Sequence, residues 1–240
     1  MSEGIYKAQR AIFLAAGLGS RLRPITINTP KPLVRVNGVR IIETSIEACL
    51  KAGIQEIYIV TGYLADEFNI LLKKYPMIQF IHNPEYDKAN NISSAVVACH
   101  LFGNAYVFEA DLLINNPNII REYHCHSDVL GIWKEKSDDW CLVPDNRGFV
   151  AEEKIGGEKC YQMVGIYYWT EEDAKKLQEH LKDTYENLPG GREKYWETIP
   201  NQLYRGEYEI EIIPCGQADV VEIDTFNELK QIDSSYSEGE

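Results

Sequence analysis

The chain has 240 residues, 45% hydrophobic and 25% charged, the proportions of an ordinary globular protein large enough for a sizeable core. With 37 acidic residues against 24 basic, the formal charge of −13 repels a nucleic-acid backbone, so nucleic acid is excluded as a partner in the absence of a local basic patch. No apolar run reaches the roughly 18 to 20 residues of a membrane span, no secretory signal is evident in MSEGIYKAQR, and the cysteines at 49, 99, 125, 141, 160 and 215 lack a Cys-x-x-Cys pair, so a cytoplasmic protein with reduced thiols is expected.

The first predicted strand is Arg10 to Leu14. It runs into Leu14 to Pro32, LAAGLGSRLRPITINTPKP, a segment too polar and too rich in proline to be core. Gly17 and Gly19 let backbone N–H groups approach an anion with no Cβ in the way, and Arg21, Arg23 and Lys31 supply positive charge, so the segment is built to hold phosphate. It is not a dinucleotide fingerprint, which needs glycine where Leu22 stands, nor a P-loop, which needs Gly-Lys followed by Ser or Thr.

Strands at Glu56 to Thr61, Gln79 to His82 and Ala105 to Glu109 then alternate with helices at Ile42 to Ala52, Ala65 to Tyr75 and Ile92 to Leu101, with Gly53 and Pro76 as stop signals. This βαβ series implies a mostly parallel sheet covered on both faces, with ligands beyond the carboxyl ends of its strands. His124-Cys125-His126 is set aside as a zinc site, because adjacent side chains diverge and no second ligand cluster accompanies them.

The second half changes character. Strands at Asp128 to Lys134, Trp140 to Pro144, Phe149 to Ile155 and Cys160 to Trp169 are separated by the turn signals Asp145-Asn146 and Gly156-Gly157, which predicts antiparallel hairpins. Helices at Glu171 to Leu188 and Tyr195 to Leu203 follow, then strands at Tyr208 to Ile213 and Val220 to Ile223 and a helix from Thr225. One α/β domain over residues 1–232 is expected, with 233–240 as a flexible tail.

Two acidic pairs leave apolar strands: Glu109-Ala110-Asp111 and Glu222-Ile223-Asp224. Each is placed to meet a ligand, and each has a plainer reading as a cap, Asp224 for the helix that starts at Thr225. Trp140, Tyr195 and Trp196 lie in the polar stretches DDWCL and REKYWET, where a core aromatic is less expected.

Ala16, Gly17, Gly19, Arg21, Pro24, Thr26, Pro30 and Lys31 together resemble the signature of the sugar-phosphate and choline-phosphate nucleotidyltransferases, and the order of elements resembles theirs over nearly the whole chain. Within that superfamily the chain resembles the bacterial choline-phosphate cytidylyltransferases. That resemblance implies a Rossmann-like nucleotidyltransferase fold with a mixed, mostly parallel central sheet flanked by helices and a small antiparallel acceptor-binding part. Residues 8–125 or so would form the nucleotide-binding half and 126–232 the acceptor-binding half.

The resemblance also assigns residues. Leu14, Ala15, Ala16, Gly17, Gly19 and Ser20 would hold the nucleotide with Asn90, Asn91 and Ser94; Arg21 and Lys31 would act on its phosphates. Asp111 and Asp224 would bind Mg2+, while Glu109, where relatives often carry Asp, receives no role. Trp140, Tyr195 or Trp196, and Glu222 would form an acceptor cage, since aromatic faces bind quaternary ammonium groups. The implied reaction is magnesium-dependent transfer of CMP from CTP to phosphocholine, giving CDP-choline and pyrophosphate, by a monomer or homodimer. Asn and Ser read a pyrimidine edge without separating cytosine from uracil; cytidine comes with the resemblance. Phosphoethanolamine, a phosphonate such as 2-aminoethylphosphonate and a sugar 1-phosphate remain as alternative acceptors. An inactive nucleotide-binding regulatory subunit is the reading from another class, and the presence of Lys31, Asp111 and Asp224 argues against it.

Overall fold

The computed structural model describes residues 5–237. Its centre is β1 (Arg10–Leu14), in which all residues but the first are buried. Parallel to it lie β2 (Glu56–Thr61) on one side and β4 (Ala105–Glu109) on the other, with β3 (Gln79–His82) outside β2. The strand period of two sends alternate residues of β1 to opposite faces. Ala11 and Phe13 join one core with Ile42 and Ile46, whereas Ile12 and Leu14 join another with Ile92, Ala95, Leu177 and Leu181. Hence α1 (Ile41–Lys51) covers one face, and α2 (Ile92–Ala98) and α3 (Glu171–Asn187) cover the other. Each fully buried Phe or Ile in these layers contributes about 1.5–3 kcal/mol.

The sheet is completed by β5 (Ser127–Pro144), β6 (Val150–Trp169) and β7 (Ile210–Cys215), giving seven strands in the order β7-β5-β6-β4-β1-β2-β3. Here β6 is antiparallel to both β4 and β5, and β7 is parallel to β5. The four strands expected between residues 128 and 169 are thus the two arms of one long hairpin. Asp145-Asn146 does lie at its turn, but Gly156-Gly157 lies within β6, where Gly156 takes a φ of 73°. The hairpin bends there and its tip folds back, so that Cys141 and Leu142 pair with Gln162 and Tyr161 as well as with Lys154 and Glu153. This bend carries Trp140 toward the carboxyl ends of the parallel strands.

Two expected helices take other forms. Residues Ala65–Lys73 form a 3-10 helix that buries Phe68 and Leu71, three apart, a spacing that the three-residue turn places on one line. Between Tyr195 and Leu203 only Ile199–Leu203 is helical, as a short π turn carrying Pro200. The expected tail also begins later than the sequence suggests. After α4 (Phe226–Ile232), Asp233 accepts a hydrogen bond from the Asn37 N–H at 2.6 Å, and the Tyr236 hydroxyl donates to the Arg35 carbonyl at 2.8 Å, which docks residues 233–236 on the fold. Residues 238–240 of that tail lie outside the described residues.

Candidate active site

The phosphate loop leaves the carboxyl end of β1 and returns as a chain of short 3-10 turns, Ser20–Leu22, Ile25–Ile27 and Lys31–Leu33. Gly19 has a φ of 59°, and a Cβ there would lie 2.9 Å from the Lys31 Cβ and 3.2 Å from Thr26 Cγ2. Only glycine permits both that backbone and that approach. The Thr26 hydroxyl locks the fold by donating to the Gly19 carbonyl at 2.8 Å. A Cβ at Gly17 would meet nothing within 4 Å, so its missing side chain leaves open space over the loop.

That space is part of a cavity of about 400 Å³. Every residue that the sequence assigns to the nucleotide lines it, from Leu14 to Lys31 and from Asn90 to Ser94. Its inner end is built by a short antiparallel ladder, Leu112–Ile114 with Val220–Glu222, which sets Glu222 opposite Leu112 and brings Asp111 and Asp224 together. Asp224 is not the helix cap. Thr225 caps α4, its side chain accepting from the Glu228 N–H, and the Glu228 carboxylate takes the N–H groups of both Asp224 and Thr225. The Asp224 side chain is thereby free to face the cavity.

Lys31 donates from Nζ to Asp111 Oδ2 at 2.7 Å and to Asp224 Oδ1 at 2.8 Å, and Arg21 reaches the same Asp224 oxygen at 2.7 Å. Burial by itself would lower the Lys31 ammonium, but the two carboxylates outweigh it and hold the group above its ordinary value. Carboxylate oxygens of Asp111, Glu222 and Asp224 all lie within 4.8 Å of one another. Desolvation of its carboxyl among its neighbours, with the charges of Asp111 and Asp224, pushes Glu222 up to about 9, although the residue as a whole is exposed. Asp111 Oδ1 is buried without a partner. An orphaned carboxylate oxygen among crowded acids is the donor set that a hard cation such as magnesium requires, so the residues fit the expected metal.

A second cavity, of about 270 Å³, opens on the other side of this cluster. Arg21, Asn91, Glu109, Asp111 and Asp224 line both cavities. Trp140 and Tyr195 form one wall of the second, their ring centres 6.0 Å apart and inclined at 65°. Glu222 lines it as expected. Trp196 does not: it is fully buried among Phe102, Tyr167 and Trp169, and its indole N–H donates to Glu109 at 3.1 Å. It is a core residue rather than part of a cage, because neighbours on an irregular segment point apart.

Besides Asp139, three glutamates line this cavity that the sequence did not single out as site residues: Glu109, Glu153 and Glu197. Burial raises all three, and the mutual proximity of Glu109 and Glu197 pushes Glu109 well above the ordinary carboxylate range. Among the described residues lining it, Arg21 is the one cation. Glu109 had a visible signal in its place two residues before Asp111. Glu197 stands next to the flagged Tyr195-Trp196 pair, but an acid in a polar stretch reads as solvated, and Glu153 carries no signal beyond an acid in a strand. His124, set aside as a metal ligand, is buried against Asp128 at 2.6 Å.

A glycine-rich loop bearing cations, a lysine among paired carboxylates and two cavities meeting at them suit an enzyme that joins a nucleotide to a second molecule. Residues 10–138 match the nucleotidyl transferase family, and the chain belongs to it. Its full-length relatives narrow the class to the cytidylyltransferases. It is 35% identical over 229 residues to the 2-aminoethylphosphonate cytidylyltransferase of Lancefieldella rimae, covering 94% of this chain and 92% of that protein. It is 33% identical over 224 residues to the choline-phosphate cytidylyltransferase of Haemophilus influenzae, covering 92% and 95%. The solved CTP:phosphocholine cytidylyltransferase of Streptococcus pneumoniae superposes with a TM-score of 0.85 at 28% identity, over 95% of this chain and 99% of that one. The resemblance drawn from the loop therefore holds across nearly the whole chain. Among the described residues, no helix is long and apolar enough to cross a membrane.

Proposed function

We propose that the protein transfers CMP from CTP to a small acceptor that carries a phosphate or phosphonate at one end and an amine cation at the other, releasing pyrophosphate. The observation that carries the acceptor class is the second cavity, where the Trp140 and Tyr195 rings share the lining with Glu109, Glu153 and Glu222. Aromatic faces attract a cation, and a cation placed beside buried acids favours their ionised form, an electrostatic gain that a neutral hexose does not bring. The opposite, anionic end of such an acceptor then falls beside Arg21 and Lys31, at the junction with the nucleotide cavity.

The chain's own groups suffice for most of the chemistry. An oxygen of the acceptor attacks the α-phosphorus in line and pyrophosphate leaves, so positioning and charge stabilisation are the main tasks. Gly17 and Gly19 open the loop backbone to the triphosphate; Arg21 and Lys31 place two cations where charge grows on the transferring oxygens. No general base is needed, since a phosphomonoester is already ionised near neutral pH. Asp111 and Asp224, with Glu222 beside them, would hold magnesium, which when bound supplies Lewis-acid neutralisation of the phosphate oxygens.

Within this class a primary amine is the first expected acceptor, as in 2-aminoethylphosphonate. Its N–H groups need acceptors, and the cavity offers four glutamates against two aromatic rings. Phosphocholine is the second reading, favoured by the Trp140–Tyr195 pair. The test is pyrophosphate release with magnesium, using the four common triphosphates against 2-aminoethylphosphonate, phosphoethanolamine, phosphocholine and hexose 1-phosphates. CTP with an amine-bearing acceptor should dominate. Preferred turnover of a hexose 1-phosphate, or no release with any pair, would sink the proposal.

A further inference from the structure

Asn91 stands at the amino end of α2, on the wall that separates the two cavities. A nucleobase reader needs side-chain donors or acceptors left over for the base. The Asn91 amide has few to spare: its Nδ2 donates to Glu109 Oε1 at 3.2 Å and to Glu197 Oε2 at 3.2 Å, and its Oδ1 accepts the Trp196 backbone N–H at 2.9 Å. Both amide hydrogens and one oxygen lone pair are thus committed inside the protein. Glu109 lines both cavities and Glu197 the second, and Trp196, itself in the core, stands in sequence between Tyr195 and Glu197, which both line the second.

The partners are themselves held. Glu109 also receives the Trp196 indole N–H, and Gly165 on β6 approaches so closely that a Cβ there would lie 3.0 Å from Glu109 Cγ. Trp196 is locked in the core, and Tyr195, its neighbour in sequence, leaves the core from that anchor to meet Trp140. Next to Asn91, Asn90 ties the same two segments, its N–H donating to the Arg192 carbonyl at 2.8 Å and its Nδ2 to the Glu193 carbonyl at 3.0 Å. The amino end of α2 is therefore stitched to residues 192–197, which carry the aromatic wall of the second cavity.

We propose that Asn91 is a positioning residue that holds the acceptor cavity in register with the nucleotide cavity through Glu109, Glu197 and the Trp196 backbone, rather than a reader of the nucleobase. This rests on reading the two cavities as donor and acceptor sites. In-line transfer tolerates little displacement between the reacting groups, so a joint at this wall acts on the chemistry without touching either substrate.

The test uses Asn91→Ala, Glu197→Gln and Glu197→Ala in the full chain, with CTP affinity measured by calorimetry and KM and kcat measured for the preferred acceptor. For Asn91→Ala, the Kd for CTP should stay within about threefold of wild type, while the acceptor KM rises about tenfold or more and kcat falls. Preserved CTP binding also reports that the variant folds. Glu197→Gln keeps an oxygen for the Asn91 amide and should stay nearer wild type than Glu197→Ala. Two results would overturn the positioning role. One is a tenfold or greater loss of CTP affinity in Asn91→Ala with an unchanged acceptor KM, which makes Asn91 a base reader. The other is a Glu197→Gln defect as large as that of Glu197→Ala, which makes Glu197 a charge for the acceptor instead of a hydrogen-bond partner. Wild-type protein that turns over no acceptor at all would defeat the functional reading itself, before any variant is compared.

Discussion

Lys31 and Asp111, 80 residues apart in sequence, meet through a 2.7 Å contact between an ammonium and a carboxylate at the junction of the two cavities. Lys31 is buried, and its cation balances two of the three crowded acids. The same charge lies where a transferring phosphoryl group would develop negative charge. Lys31→Met should therefore lower kcat by about 10²- to 10³-fold, a larger effect than the accompanying rise in acceptor KM. Steady-state kinetics with CTP and the preferred acceptor check this, and a loss confined to KM would count against it.

Asp111, Glu222 and Asp224 crowd together, the charges of the two aspartates help to hold Glu222 well above the ordinary carboxylate range, and Asp111 Oδ1 has no partner. Magnesium or manganese at about 100 times its Kd should stabilise the fold by about 2.7 kcal/mol, visible as a rise in Tm. Asp111→Asn should remove most of that rise. Thermal melts of both proteins with and without metal decide the matter; an equal rise in the variant would place the cation elsewhere.

The two tryptophans flagged in polar stretches have opposite fates, and their variants should show it. Trp140→Ala should raise the acceptor KM by a factor that reflects about 0.5–2 kcal/mol of lost cation–π attraction, with little change in Tm, because its side chain is half-buried at the cavity wall. Trp196→Ala should cost about 3–5 kcal/mol of stability, since a fully buried ring and its bond to Glu109 are removed. Denaturant melts beside acceptor titrations separate the two. Equal stability losses would mean that Trp140 is also a core residue.

What could be seen in the sequence follows from how local each signal is. The four parallel strands stand where the apolar runs place them; in the three inner ones burial on both faces writes itself into consecutive residues, while the outer strand, β3, has no buried residue. The phosphate loop was legible because its glycines and cations are needed within one short segment. Glu153 and Glu197 were not, since they enter the second cavity only through the bend of the β5–β6 hairpin and the irregular path near Trp196, both set by contacts between distant residues. The same distance hid the reason why Tyr195 faces the cavity and Trp196 the core.

Gly19 gives the sharpest test of the loop itself. Its φ of 59° is strained for any L side chain, and an added Cβ would sit 2.9 Å from the Cβ of Lys31, against a stem held by two ion pairs. Gly19→Ala must then either distort the turn or push Lys31 away from Asp111 and Asp224. Distortion alone costs on the order of 1–3 kcal/mol, a loss that melts would record. Displacement of Lys31 adds a fall in kcat approaching that of Lys31→Met, so the double variant should be little worse than Lys31→Met alone. Gly17→Ala, whose Cβ meets no protein atom within 4 Å, should leave Tm nearly unchanged and weaken CTP binding instead. A Gly19→Ala protein with wild-type kcat and Tm would show that the loop tolerates a side chain there, and that the glycine is not what sets the lysine in place.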